Sequence, residues 1–571
     1  MRVGFLELSH VFANQIKIPY STGCVWSYCS ADPEIKHTFD LNDWFYVLDD
    51  KFDVHATAEQ LSECDVVGVS HFVWNASTND RVCEEIKRFN PDCKIVYGGL
   101  GTPKYGRCTD FLNERPYIDA IVHNEGEVVF SNLLKHDWST VDGITTHEYV
   151  NPLQDRIKDI SEMPSPYLDG LFDQLPDMPW ECLVEPVRGC PYTCTFCEIG
   201  DKFYTKISKQ NREKLYREID WVSDRQIEYL HIVDNNFGMV KDHKEVADYL
   251  IDKFETTGYP NALNISWAKH KKPFLFDMAE DLWRAGLNKS MTLALQSMND
   301  DTLRAVERTN ENTNLEQVIE YCKSKGMPAY IETIMGLPEE TLESFKNGIY
   351  RLIDDYNYHN YIGIYFMVAL PNTPFGDPEY LKKYGIQLAE TAPCFFHHEH
   401  PEKLMEDTNQ IVVGSNAMPY SDFLEACGWK WFMMTFHFLG WTRLIALEQP
   451  TCRTFYTYLF DWAMVNRGFI YEEYMTTMDL MDQVFDHKIP WGRKVEGAGD
   501  TYWEYEEATS IEIAKNKGQF YDEMFSFMGD YDLIEKQSMA MREPGDDLEK
   551  YARECLWWGR RAEKFFNSTE I

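Results

Sequence analysis

The stretch RGCPYTCTFCEIG, residues 188–200, sets Cys190, Cys194 and Cys197 in a Cys-x3-Cys-x2-Cys spacing. It follows an apolar run at 182–187 that predicts a β-strand, so the motif occupies the loop leaving a strand's carboxyl end. Three thiolates this close can wrap one iron–sulfur cube and ligate three of its four irons. The fourth iron is then open to a small ligand. A structural zinc site would want a fourth Cys or His, and none stands in the next few residues. Unligated core thiols are the bland alternative, and three so close together fit chance poorly. Cys24, Cys29, Cys64, Cys83, Cys93 and Cys108 are scattered and read as ordinary thiols.

Outward from the motif, strands are expected at 182–187, 228–234, 264–268, 291–296, 329–335 and 362–369. Helical segments fall between them, for instance 211–224, 242–255 and 341–354. Six βα units without room for eight predict an open, partial (β/α)6 barrel whose active face is the carboxyl ends of its strands. Upstream, short apolar runs at 3–8, 65–70, 94–97 and 117–123 alternate with helical stretches such as 78–89. That pattern predicts an α/β, doubly wound, Rossmann-like parallel sheet. Ser70, Gly98, Gly99 and Glu125 fall at its carboxyl edge, where such sheets bind ligands.

Pro152, Pro164, Pro166, Pro176 and Pro179 interrupt residues 151–180, which read as a linker. After about residue 385 the pattern turns mostly helical, with many Trp, Phe and Met. The expected division is therefore 1–150, a linker at 151–180, a barrel at 181–385 and a mostly helical region at 386–571.

The chain has 571 residues, enough for about three or four domains. Its 93 acidic against 55 basic residues give a net charge of −38. Such a surface repels phosphate backbones and anionic lipid, so neither nucleic acid nor membrane is an expected partner. The opening MRVGFLELSH shows no signal peptide, and no apolar run approaches ~20 residues. A cytoplasmic protein with reduced thiols is expected.

The cysteine motif, with Phe196 just before its last Cys, resembles the radical S-adenosylmethionine (SAM) superfamily. The resemblance implies a [4Fe–4S] cluster on Cys190, Cys194 and Cys197, with SAM chelating the open iron through its amino and carboxylate groups. VDNNFG, residues 233–238, ends the second barrel strand, where the superfamily contacts the SAM amino group. The usual Gly-Gly-Glu is replaced here by Asp234-Asn235-Asn236. TLALQSMN (292–299) and ETIMGLPEET (332–341) end the fourth and fifth strands. Gln296, Glu332 and Gly336 are the implied ribose and adenine contacts, and Phe196 an implied SAM neighbour.

A doubly wound domain ahead of such a barrel resembles the cobalamin-dependent radical SAM enzymes. The stretches that carry the likeness are DVVGVSHFVWN (65–75), NPDCKIVYGGLGTP (90–103) and IDAIVHNEGE (118–127). Two glycines at a strand end let the backbone approach a bulky ligand closely. The resemblance implies cobalamin contacts at Ser70, Gly98, Gly99 and Glu125. Methionine-synthase-like domains place Asp-x-His-x-x-Gly after the first strand; LELSHVFANQ (6–15) lacks it, and DVH at 53–55 is misplaced. His10 and His71 read as satisfied polar residues rather than cobalt ligands. The likeness covers roughly 1–385 and includes 189–197, 234–238, 267–270 and 370–374.

It implies a cobalamin-dependent radical SAM methyltransferase. A 5′-deoxyadenosyl radical activates an unactivated carbon, and methylcobalamin delivers the methyl group. A small-molecule substrate and an electron donor of flavodoxin or ferredoxin type go with it. Ring contraction, oxidative cyclisation, a front domain that no longer binds cobalamin, and a sensor without turnover stay open. Tyr330 and Tyr365, on barrel strands, are read as core or as cavity lining.

Overall fold

The computed structural model describes residues 1–12, 15–38, 40–41, 45–48, 52–104, 106–269, 272–308, 315–394, 396–397 and 407–556. The side chain of His10 and all of His270 lie outside the described residues. Two compact units form: Met1–Asn288 with Leu370–Asp377, and Lys289–Ala369 with Pro378–Ile571.

In the first unit the strands are β1 (Arg2–Phe12), β2 (Gln15–Lys17), β3 (Asp40–Leu41), β4 (Phe45–Leu48), β5 (Val66–Ser70) and β6 (Lys94–Gly98). They continue as β7 (Ala120–Val122), β8 (Ile144–Thr145), β9 (Trp180–Val184), β10 (Val187–Arg188), β11 (Ser208–Lys209), β12 (Tyr229–Phe237) and β13 (Ala262–Trp267). One sheet runs β13-β12-β9-β2-β1-β5-β6-β7-β8, with β3 and β4 also on β1. The parallel core β1-β5-β6-β7 has Ser70 beside Gly98 in register.

Alternation along these strands covers both faces, as a doubly wound sheet requires. Leu6, Leu8, Val67 and Val69 pack with Val82 and Ile86 on one side. Val3, Phe5 and Val66 pack with Val129 and Phe130 on the other. Gly68 is small for a reason: an added Cβ would stand 2.8 Å from the Phe5 ring and 3.0 Å from that of Phe130. The expected ordinary thiols Cys29, Cys64, Cys83, Cys93 and Cys108 are buried and unbridged in this domain.

The three-residue β2 was not foreseen. It turns back antiparallel to the end of β1 (Val11↔Ile16) and lies parallel to β9 (Ile16↔Trp180). It therefore joins the front sheet to the parallel strands β9, β12 and β13. The linker is also structured against this sheet. Tyr167 donates its hydroxyl to Leu183 O at 2.7 Å, and Leu183 N donates back at 3.1 Å.

The second unit holds three parallel strands, β14 (Met291–Gln296), β15 (Ala329–Met335) and β16 (Ile362–Phe366). They fall on the last three of the six runs read as strands and form a sheet of their own. An antiparallel pair, β17 (Gln387–Thr391) and β18 (Asn409–Gly414), interrupts the stretch read as helical. From Tyr420 on the unit is helical, the longest helix being Phe469–Phe485. Trp431, Trp441, Trp491 and Trp503 are fully buried in it, which accounts for the aromatic richness. Tyr365 is 46% exposed and its hydroxyl lies 3.0 Å from that of Tyr330, so it is not a core residue. No helix among the described residues is long and apolar enough to cross a membrane.

Candidate functional site

The cysteines sit on the loop between β10 and β11, which pair antiparallel and close it at its base (Arg188↔Ser208). The loop is cinched by short backbone bonds. Cys190 N donates to Tyr204 O at 2.9 Å, Cys197 N to Cys194 O at 3.1 Å and Gly200 N to Cys197 O at 2.9 Å. Gly189, with φ +105°, must be glycine, because a Cβ would lie 2.7 Å from the Tyr204 and Lys206 carbonyls. Cys190 and Cys194 are buried; Cys197 is half-buried, and burial pushes its thiol pKa up.

Two donors reach these sulfurs from neighbouring strand ends. Asn236 Nδ2 donates to Cys190 Sγ at 3.1 Å, and Lys269 Nζ donates to Cys194 Sγ at 2.9 Å. Among the described residues no three His, Cys, Asp or Glu side chains converge on a single-ion site. A cube in which each thiolate takes its own iron is the group that suits this donor set. Phe196 is half-buried on the same loop.

The replaced Gly-Gly-Glu divides by role. Asn235 is exposed and lines the cavity described below; Asn236 is buried against Cys190. Asp234 is buried elsewhere: its Oδ1 accepts from Asn236 N at 2.7 Å, and its Oδ2 lies 3.1 Å from His243 Nε2. Gly238 N donates to His243 Nδ1 at 2.7 Å, which leaves the ring proton on Nε2. Burial pushes Asp234 up to about 7 and His243 down to about 4. Asp234 holds the Asn236 backbone, while Val233 and Asn235 beside it line the cavity.

The front sheet's carboxyl edge and the cysteine loop line one cavity of about 670 Å³. Ser70, Gly98, Gly99 and Glu125 stand on it from one side, Gly189, Glu198 and Asn235 from the other. At Gly98 an added Cβ would meet nothing nearer than Val122 at 3.9 Å, so that strand end is an open cradle. At Gly99 (φ +105°) a Cβ would stand 2.7 Å from His71 O. His71 is buried beside Tyr97, its ring 4.9 Å away, and burial pushes its pKa down to about 4.

Glu125 is less free than expected. It accepts from Ile157 N at 2.7 Å and lies 3.5 Å from Arg156 and 3.6 Å from Arg188. Arg188 also forks onto Glu185 with two 2.9 Å bonds and reaches Glu127 at 3.0 Å. Two guanidiniums so hold three carboxylates on the cavity wall itself. Lys104, from the loop after Gly99, pairs with Asp201 of the cysteine loop at 2.7 Å. Glu198, beside the last cysteine, is pushed up to about 7 by burial against the opposing pull of Lys104.

Gln296, Glu332 and Gly336 belong to the second unit. Gln296 takes φ +70° at a register break between β14 and β15, an uncommon conformation for a side-chain-bearing residue. Burial raises the Glu332 carboxyl, and Arg308 opposes the rise. Gly336 (φ +99°) packs against Val412, 3.2 Å from where its Cβ would be.

Sequence reasoning missed Lys269, Arg156, Arg188, Lys104 and Asn372 as parts of this site. Lys269 and Asn372 lie inside stretches 267–270 and 370–374 whose likeness was noted, which was the available signal. Arg156 sat in a segment read only as a linker.

Residues 184–349 match the radical SAM superfamily. The cobalamin-dependent radical SAM methyltransferase TokK of Streptomyces tokunonensis is 29% identical over 449 residues, covering 75% of this chain and 65% of that protein. The 2-(S-pantetheinyl)-carbapenam-3-carboxylate methyltransferase of Streptantibioticus cattleyicolor is 29% identical with the same coverage. The matched region thus spans just under two thirds of these relatives. Among solved structures, the cobalamin-dependent SAM radical enzyme OxsB, with aqua-cobalamin and SAM bound, superposes with a TM-score of 0.54. That match has 14% identity over 96% of this chain and 83% of that one, a likeness of fold.

Proposed function

We propose, on the premise that this chain belongs to the cobalamin-dependent radical SAM enzymes, that it is a methyltransferase acting on an unactivated carbon of a small molecule. The observation that carries this reading is the single cavity walled by both the glycine edge of the front sheet and the cysteine loop. A methyl carrier and a radical generator must reach one substrate carbon, and a shared cavity puts their sites side by side. When bound, a [4Fe–4S] cluster with SAM supplies one-electron cleavage chemistry and cobalamin supplies a transferable methyl group.

The chain's own residues have the following parts. Cys190, Cys194 and Cys197 hold the cluster, and Asn236 and Lys269 stabilise its thiolates. Phe196, Asp234, Asn235 and Asn236 keep their assignment to SAM, as do Gln296, Glu332 and Gly336 from the sequence. Ser70, Gly98 and Gly99 are assigned to cobalamin, with Glu125 fixing the wall through Arg156 and Arg188. Arg188 ties Glu125, Glu127 and Glu185 together on that wall. The sequence division at 150, 180 and 385 is kept as a division by role. A flavodoxin- or ferredoxin-type protein is proposed as electron donor.

Anaerobic reconstitution with iron, sulfide and hydroxocobalamin tests the reading, followed by turnover with SAM labelled in its methyl group. Bound corrinoid, 5′-deoxyadenosine and label in a product support it. 5′-Deoxyadenosine without transferred label would replace methylation by ring contraction or cyclisation.

A further inference from the structure

Asn372 reaches the cavity from far along the chain. Its segment, Leu370–Asp377, is grouped with the first unit. The segment is a tight turn: Thr373 Oγ1 donates to Leu370 O at 2.8 Å, Phe375 N to Thr373 Oγ1 at 3.2 Å, and Phe375 is fully buried. Asn372 Nδ2 then donates to Leu100 O and to Thr102 O, both at 2.7 Å. Those carbonyls belong to the loop leaving Gly98 and Gly99.

This arrangement fixes the amide. A side-chain NH2 has two protons, and both are used. The flipped amide would set its oxygen against two carbonyl oxygens, so the orientation is determined by its partners. Oδ1 is left buried and accepts from no protein group. The residue is only 7% exposed and lines the cavity. Buried amide oxygens are nearly always paired, so this one waits for a donor brought by a ligand.

We propose that Asn372 is a ligand-reading residue of the cavity, clamping the 98–103 loop with its NH2 and accepting through Oδ1 from a corrinoid side-chain carboxamide. The inference rests on the cobalamin reading of this cavity. A corrinoid's rim carries carboxamides, whose N–H groups are donors of the required kind. Neither half of the role needs the cluster, so the test reads binding rather than turnover.

The probes are hydroxocobalamin and a cobyrinic acid heptamethyl ester, which has the macrocycle but no amide N–H. Their affinities are measured by absorbance titration on the full chain, with iron content as control, for wild type, Asn372→Leu and Asn372→Ala. The expected result is a loss of about tenfold or more for the cobalamin in both variants, as for a buried hydrogen bond of about 1.4 kcal/mol. The ester should lose less than the cobalamin by that factor, and iron content should stay at wild-type levels. Asn372→Ala removes the same acceptor with a smaller side chain and carries the test if Asn372→Leu does not fold. Equal losses on both corrinoids would reduce Asn372 to a loop clamp and overturn the proposal, as would no loss on either. If wild type binds neither corrinoid while its iron is complete, the cobalamin reading itself falls, and this inference with it.

Discussion

The cysteine loop and the glycine loop face the same cavity but are built on opposite principles. The cysteine loop, 189–207, works by the side chains it presents: three thiols, each within a short reach, two of them already taking a donor from Asn236 or Lys269. The glycine loop, 98–103, works by side chains it withholds. Gly98 leaves a cradle open and Gly99 lets the backbone turn against His71 O, while Lys104 and Asn372 tie the loop from outside. One loop should fail chemically when mutated and keep its shape; the other should fail sterically and keep its chemistry.

The largest expected effect lies on the chemical side. Cys190→Ala, Cys194→Ala or Cys197→Ala should each abolish SAM cleavage and reduce iron and sulfide to background, with corrinoid uptake retained. Full SAM cleavage in any of them would break the comparison at its root.

Next comes the wall that the two loops share. Arg188→Met leaves Glu185, Glu127 and Glu125 part-buried without their common cation. Removing one partner of a buried ionic cluster costs about 3–5 kcal/mol, read as a lowered denaturation midpoint. A midpoint within error of wild type would show that water reaches this wall freely.

The two glycines separate strain from occlusion. Gly99→Ala places a Cβ 2.7 Å from His71 O at φ +105°, so it should cost about 1–3 kcal/mol of stability as well as corrinoid binding. Gly98→Val meets no such neighbour. It should leave the melting temperature unchanged and weaken cobalamin binding roughly tenfold by filling the cradle, a penalty of the size overpacking brings. If Gly98→Val melts early instead, the cradle is a packed core position.

The smallest effect is a slope. Asp234, raised to about 7, favours folding in its protonated form, so its contribution is lost as pH rises from about 4 to about 7. His243, lowered to about 4 from an ordinary 6.5, contributes stability that is lost as pH falls through 6.5 toward 4. The two oppose each other in wild type. Asp234→Asn removes the first, so its stability should fall on acidification across that window more steeply than wild type's. A parallel pair of curves would mean the two groups titrate as one.

How far the sequence could be read follows from the range of the forces involved. The grouping of Cys190, Cys194 and Cys197 was legible because three thiols within one short loop are placed by chain distance alone. The parallel strands were legible because apolar periodicity is local: the run at 291–296 is β14 and the run at 329–335 is β15. Asp234 was placed at the end of a strand, but nothing local shows that its carboxylate bonds the Asn236 backbone or that His243, stacked 4.6 Å from Phe237, lies 3.1 Å from it.

The sequence by itself determined which chemistry is carried: three thiols after a strand, two glycines at a sheet edge, and an acidic chain around them. Tertiary structure alone decided how those parts meet. The three-residue β2 is too short to show a period, yet it joins the front sheet to β9. Arg156 looked like linker, yet its guanidinium hydrogen-bonds Arg188 O at 3.0 Å behind the cysteine loop. Asn372 lies 272 residues from Leu100 and still closes its loop. A hydrogen bond depends on separation in space, and chain distance carries almost no record of it.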